Sequence, residues 1–325
     1  MEDLVIAAAP ASAKGLRLDR YLVTAFAGVP EAPSRSEIQR WLDAGAVEVD
    51  GIVARARDSA RPGAKIVVHP LARARTDAAA EEGIAFDILH VDADLVVVVK
   101  PPGLVVHPAA GHAGGTLVNG LLARGLFTAE VLADEADPGH VRPGIVHRLD
   151  KGTSGVMVVA RTVRAREHLK AQFAKHTIER EYVALASGEL ADCTFSSLHG
   201  RHPGDRKRFT GKVSQGKRAV THVRVLERLG RVTFVACTLE TGRTHQIRMH
   251  LGEGGAPIVG DEAYGFRTKD PVLRSIALEL GRPALHARVL GFVHPKTGKP
   301  VRFEVPPPPD FTKALAKLRA AVKKA

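Results

Sequence analysis

The sequence predicts a mixed α+β protein, with a small helix-and-hairpin unit ahead of a larger strand-rich domain. Short apolar runs bounded by turn residues recur from residue 88 onward without internal repeat. That order fits α+β architecture rather than a doubly wound parallel sheet. Residues 71–83 are alanine-rich and charged, with no apolar periodicity, and read as a linker. Residues 15–70 carry helical spacing and then a hairpin signal, so they form a unit of their own.

In chain order, Leu18, Leu22, Ala25 and Phe26 recur at helical spacing. Ser34 followed by Glu37 fits a capping box opening a second helix, whose apolar face is Ile38, Trp41 and Leu42 and which Gly45 can end. Val47-Glu48-Val49 meets Asp50-Gly51, a strong hairpin turn signal, before Ile52-Val53. Beyond the linker, strands are expected at Ile88 to Val91, Leu95 to Val99 and Val156 to Val159. A helix follows near 162–175, with Ala165, Leu169 and Phe173 spaced by four. Further strands are expected at 182–186 and near 220–226, 231–239, 285–293 and 301–305. Thr244 is expected to cap a short helix that carries Arg248 and ends at Gly252. Residues 312–325 read as a basic, solvated tail.

Composition narrows the function classes. The chain has 325 residues, 45% of them hydrophobic, enough for one large domain and a small one. No apolar run reaches the ~18 residues that span a bilayer. The start, Met1-Glu2-Asp3-Leu4, lacks the basic region of a secretory signal, so a cytoplasmic protein is expected. Cys193 and Cys237 are separated by 43 intervening residues, without metal-ligand spacing, so neither a disulfide framework nor a zinc site is expected. The net charge of +12 is unevenly placed. Thr76 to Val99 holds six acids and no Lys or Arg, whereas Arg201 to Arg224 holds eight Lys or Arg against one Asp. Such a basic block attracts phosphate backbones.

The chemistry concentrates in residues 144–160. Asp150 stands between Arg148 and Lys151, after a Pro143-Gly144 turn and before an apolar run that reads as a buried strand. Gly152 and Gly155 flank Thr153-Ser154, so the chain turns tightly beside the acid. A carboxylate on a loop at the mouth of a strand can attack carbon. On spacing alone, a solvated surface turn is an equal reading.

His147-Arg148-Leu149-Asp150-Lys151 followed by Thr153-Ser154-Gly155 closely resembles the signature of the RluA/RluD family of RNA pseudouridine synthases. Other pieces appear in family order over roughly residues 84–311: Glu181 to Leu185, Gly200 to Pro203 with Asp205 to Arg208, Thr241 to Arg248, Leu285 to Ala287 and Gly291 to Pro295. The resemblance, nearest to the ribosomal large subunit branch, implies a central, largely antiparallel sheet with flanking helices and a cleft. It makes Asp150 the catalytic residue, with Arg248 paired to it. Tyr182 would lie against the uracil and assist removal of its carbon-5 proton. Arg148 would fill the space of a flipped base. RNA contacts are expected at Arg201, Arg206, Lys207, Arg208 and Arg243. Residues 15–70, with Arg35, Arg40, Arg55 and Arg57, resemble the S-four-like RNA-binding domain that often precedes this catalytic domain. The implied partner is a stem-loop of large-subunit ribosomal RNA, met by a monomer without cofactor or metal. His147, His245 and His250 are read as hydrogen-bonding scaffold. Gly152, where many relatives carry an acid, departs from the family pattern, as does Met157.

Rival classes fare less well. Val97-Val98-Val99-Lys100 and His147-Arg148 hint at a protein kinase, but the order is His-Arg-Leu-Asp, and no Asp-Phe-Gly or glycine-rich phosphate loop exists. A glycosidase needs a second carboxylate ~5–10 Å from the first, and the matched motifs offer none. A non-catalytic ribosomal RNA-binding or assembly factor is the remaining alternative.

Overall fold

The computed structural model describes residues 3–28, 33, 35–71, 78–108, 114–128, 131 and 144–323. The Ser34 cap, the Pro143 turn, linker residues 72–77 and the Arg35 side chain lie outside the described residues. The chain divides into two units, Met1–Arg75 and Thr76–Ala325.

In the first unit, strands β1 (Leu4–Ile6), β2 (Val47–Val49), β3 (Ile52–Val53) and β4 (Ile66–Val68) form an antiparallel sheet ordered β1-β4-β2-β3. Helices α1 (Leu18–Ala25) and α2 (Arg35–Asp43) bury Leu18, Leu22, Ile38, Trp41 and Leu42 against Val47, Val49, Ile66 and Val68. Asp50 and Gly51 both take positive φ, 52° and 77°, the backbone a tight two-residue hairpin demands. The unit starts before residue 15, because Leu4 lies opposite Val68. Three strand residues are too few to show periodicity.

The second unit is built on a ten-stranded sheet. Its strands are β5 (Asp87–Val91), β6 (Leu95–Lys100), β7 (Ser154–Ala160), β8 (Glu179–Ser187), β9 (Cys193–Arg201), β10 (Phe209–Thr210), β11 (Lys217–Leu229), β12 (Val232–Leu239), β13 (Leu285–Val293) and β14 (Pro300–Glu304). They run in the order β10-β9-β11-β12-β8-β13-β7-β6-β5, with β14 on β13. Every pairing is antiparallel except β7 with β13, where Ser154 and Gly155 face His286 and Ala287. Gly155, at φ 129°, permits that approach, since any side chain there would collide with the Ala287 carbonyl. This junction sets the Asp150 loop near β8, because Ala287 also lies opposite Tyr182.

Among the described residues, the helices flanking the sheet are α3 (Leu117–Ala123), α4 (Val163–Ala174), α5 (Gln246–Glu253), α6 (Pro271–Leu280) and α7 (Pro309–Val322). Among the described residues, no helix is long and apolar enough to cross a membrane. Three expectations are corrected. The basic tail is helix α7, whose Phe311, Ala314, Leu315 and Leu318 are buried in the main core. Apolar residues at one face outweigh the lysines, which snorkel outward. The linker is anchored from residue 78 on, as Ala79 and Glu81 exchange hydrogen bonds with Asn119 and Gly115. Helix α5 begins after His245 in a left-handed conformation, φ 58°, with no side-chain cap, so Thr244 does not cap it.

Candidate active site

The Asp150 loop is held from below. Lys100 is fully buried, and its Nζ donates to the carbonyls of Pro101 at 2.9 Å, Leu104 at 2.8 Å and Lys151 at 3.3 Å. Burial pulls its ammonium down to about 7, and three carbonyl acceptors for three N–H donors favour the charged form against that pull. The Arg282 Nη1 donates to the Gly152 carbonyl at 3.1 Å, and the Thr153 N–H to the Asp150 carbonyl at 3.0 Å. Leu149 points into the core. Asp150 is thereby presented on a rigid turn.

Helix α5 brings Arg248 to it. Nη1 of Arg248 donates to Oδ2 of Asp150 at 3.2 Å. The stronger attachment is to Asp261, which takes Nε at 2.6 Å and Nη2 at 2.9 Å in a two-pronged pair. Asp261 is 1% exposed and so committed to this bond. Burial would lower the Arg248 guanidinium, but Asp261 and then Asp150 raise it above its ordinary value. The expected pair exists, and a second carboxylate anchors it.

Tyr182, on β8, lines the same cleft as Asp150, Arg148, Arg243, His245 and Arg248. Burial pushes its phenol up to about 12. Arg180, two residues earlier and buried, reaches the Glu240 carbonyl at 3.1 Å through the space that Gly242 leaves open. His245 faces the cleft too, its Nε2 3.8 Å from Oδ2 of Asp150.

His147 and His250 are scaffold. His147 accepts the Val158 N–H at 3.1 Å and stacks on Phe173, and burial drives it down to about 3. His250 bonds Thr221 and Ser197 and falls to about 4 for the same reason. Among the described residues, no group of three or more His, Cys, Asp or Glu could hold a metal ion.

The cations fall into three sets. Arg148 is exposed at the cleft, and Arg243 lines it while donating to the Arg218 carbonyl at 3.2 Å. Arg206 and Lys207 are exposed on the turn between β9 and β10, where Arg201 lies over the Phe209 ring and Arg208 over the Tyr264 ring. Arg40, Arg55 and Arg57 belong to the first unit, where Arg40 donates to the Leu71 carbonyl at 3.2 Å. Sequence reasoning missed Asp261, Tyr264, Lys100 and Arg180. Each is a single residue whose meaning comes from a partner distant in the chain.

A family model described as RNA pseudouridylate synthase matches residues 94–253. The ribosomal large subunit pseudouridine synthase D of Xanthomonas campestris is 42% identical over 96% of this chain and 92% of its own. An uncharacterised RNA pseudouridine synthase of Bacillus subtilis is 41% identical over 94% of this chain and 95% of its own. Among solved structures, human RNA pseudouridylate synthase domain containing 1 has 26% identity and a TM-score of 0.53, over 75% of this chain and 98% of its own. Likeness that runs through the cleft and nearly the full chain leaves one assignment: this chain belongs to the RNA pseudouridylate synthase family.

Proposed function

We propose that this protein isomerises uridine to pseudouridine in large-subunit ribosomal RNA, with Asp150 as the nucleophile acting on an extruded base. The observation that carries the reading is Asp150 itself, a carboxylate on a fixed turn in a cleft walled by Tyr182, Arg148 and Arg248. The names of relatives alike over nearly the whole chain support the substrate class. The reaction breaks the bond from ribose C1′ to uracil N1 and forms one from C1′ to C5, while the C5 proton leaves and N1 gains one. No electrons or groups are exchanged with a second substrate, so side chains suffice.

The roles follow from the local chemistry. Asp150 meets C1′, and Arg248, anchored on Asp261, aims it. Asp261 is locked in its pair, and among the described residues lining the cleft Asp150 is the one carboxylate, so none other stands ready for the water activation that glycoside hydrolysis needs. Tyr182 stays protonated at neutral pH, which favours a flat wall and hydroxyl donor against the uracil over a resting base. Arg148 and Arg243 contact the flipped nucleotide or its phosphates, and the turn bearing Arg201, Arg206, Lys207 and Arg208 grips the backbone. Extrusion costs a few kcal/mol, which these contacts offset. The first unit, through Arg35, Arg40, Arg55 and Arg57, acts as an S-four-like anchor on a stem-loop. The protein works as a cytoplasmic monomer.

Purified protein in excess EDTA is expected to release tritium from 5-tritiated uridine in a large-subunit ribosomal RNA transcript, with pseudouridine at the same positions. Release from transfer RNA alone would overturn the substrate class.

A further inference from the structure

Tyr264 belongs to no motif that marked the site, yet its hydroxyl ties two parts of the site together. It is 4% exposed. Its oxygen accepts the Phe209 backbone N–H at 2.9 Å and lies 3.0 Å from Nδ1 of His245. The hydroxyl has one hydrogen to place, and among the described residues Nδ1 of His245 is the acceptor within reach. A buried hydroxyl hydrogen left without an acceptor keeps its full desolvation penalty. Tyr264 therefore donates to Nδ1, and the neutral ring carries its proton on Nε2.

The other side of the ring selects the same tautomer. Nε2 stands 3.8 Å from Oδ2 of Asp150, and a carboxylate favours an N–H over a lone pair. Burial lowers His245 below the ordinary imidazole range, which keeps it neutral between its two partners. The ring is gripped edge-on by Phe209 and Tyr264, at 85° and 87°. Its backbone sits at φ 58°, a left-handed conformation that is strained for a residue with a Cβ and is held only where surroundings over-determine it. Arg248 addresses the same carboxylate oxygen, Oδ2, at 3.2 Å.

We propose that His245 is a positioning residue for the isomerisation: Tyr264 fixes its tautomer, and its Nε2–H, with Arg248, holds Oδ2 of Asp150 so that Oδ1 meets the ribose. The inference rests on Asp150 being the nucleophile. Phe209 follows directly on Arg206, Lys207 and Arg208, so the turn proposed to grip RNA is bonded to the group that sets the tautomer.

Nitrogen-15 NMR of histidine-labelled full-length protein tests the tautomer without any activity measurement. The His245 signals, assigned by their loss in His245→Asn, should show a protonated Nε2 and an unprotonated Nδ1, and Tyr264→Phe should weaken that preference, leaving only the part that Asp150 sets. His245→Gly, which the left-handed backbone tolerates, should lower kcat about tenfold to a hundredfold while KM for RNA holds, as misplacement of a reacting group does. Added imidazole should restore part of the loss. A wild-type ring protonated on Nδ1, an unchanged kcat in His245→Gly, or a loss that imidazole leaves untouched would overturn the proposal. If Asp150→Asn is inert while any of these holds, the nucleophile stands and only the His245 role falls. An active Asp150→Asn removes both.

Discussion

Arg248 serves two carboxylates unequally, and the inequality has measurable consequences. Two short bonds tie it to buried Asp261, and one of 3.2 Å reaches Asp150. Breaking a buried pair from one side costs about 3–5 kcal/mol, because the remaining charge is stranded. Asp261→Asn should therefore lower stability by that order and also slow turnover, since Arg248 loses its anchor. Asp150→Asn should cost far less stability. In double-mutant cycles with Arg248→Met, followed by urea denaturation, the coupling to Asp261 should exceed that to Asp150. Equal couplings would show that both carboxylates hold Arg248 alike, and a larger coupling to Asp150 that it belongs chiefly to the catalytic loop. Asp150, Tyr182 and Arg248 were legible because each sits in a dense local string. Asp261 was not legible, since an isolated aspartate thirteen residues beyond Arg248 carries no local signal that a guanidinium will claim it.

At the scale of elements, strands with continuous apolar runs were the most readable. Val156 to Val159 is buried on both faces, as is Leu95 to Val98. Strand β9 was missed because it is half-exposed along most of its length and alternates small polar residues with Phe195 and Leu198. Helix α7 was missed because its lysines dominated the reading, though Phe311, Ala314, Leu315 and Leu318 follow helical spacing. Phe311 is fully buried in the main core, so Phe311→Ala should destabilise the second unit by about 3–5 kcal/mol. A loss below 1 kcal/mol in the urea midpoint, converted through an unchanged slope, would mean that the helix is a dispensable tail. Lys100→Met tests the floor of the catalytic loop. Three carbonyls would lose their donor, each at about 1–3 kcal/mol if left unpaired, so both melting temperature and kcat should fall. A variant as active and as stable as wild type would show the loop to be held by the Arg282 and turn bonds alone.

The whole molecule combines a separately cored first unit with a sheet that carries the chemistry. Deleting residues 1–75 should leave the second unit folded and lower its affinity for structured ribosomal RNA; unchanged affinity and site choice would remove the anchor role from the first unit. Stability should also depend on pH. Burial chiefly drives His147, His250 and His286 from 6.5 to about 3, about 4 and about 4. Between pH 6.5 and 4 the unfolded chain binds more protons at these rings than the folded one. The stability they contribute is complete above pH 6.5 and is lost as pH falls toward 4, with a slope approaching three protons, about 4 kcal/mol per pH unit. Urea midpoints that stay level from pH 7 to 4.5 would contradict this.

The central claim is that one carboxylate performs the isomerisation, and Asp150→Asn tests it most directly. The change is nearly isosteric, touches a single bond to Arg248, and removes the nucleophilic charge. Tritium release from 5-tritiated uridine in large-subunit ribosomal RNA should be lost, while binding of the same RNA and the urea midpoint stay close to wild type. Release within about tenfold of wild type, less than removal of a covalent nucleophile allows, would contradict the account.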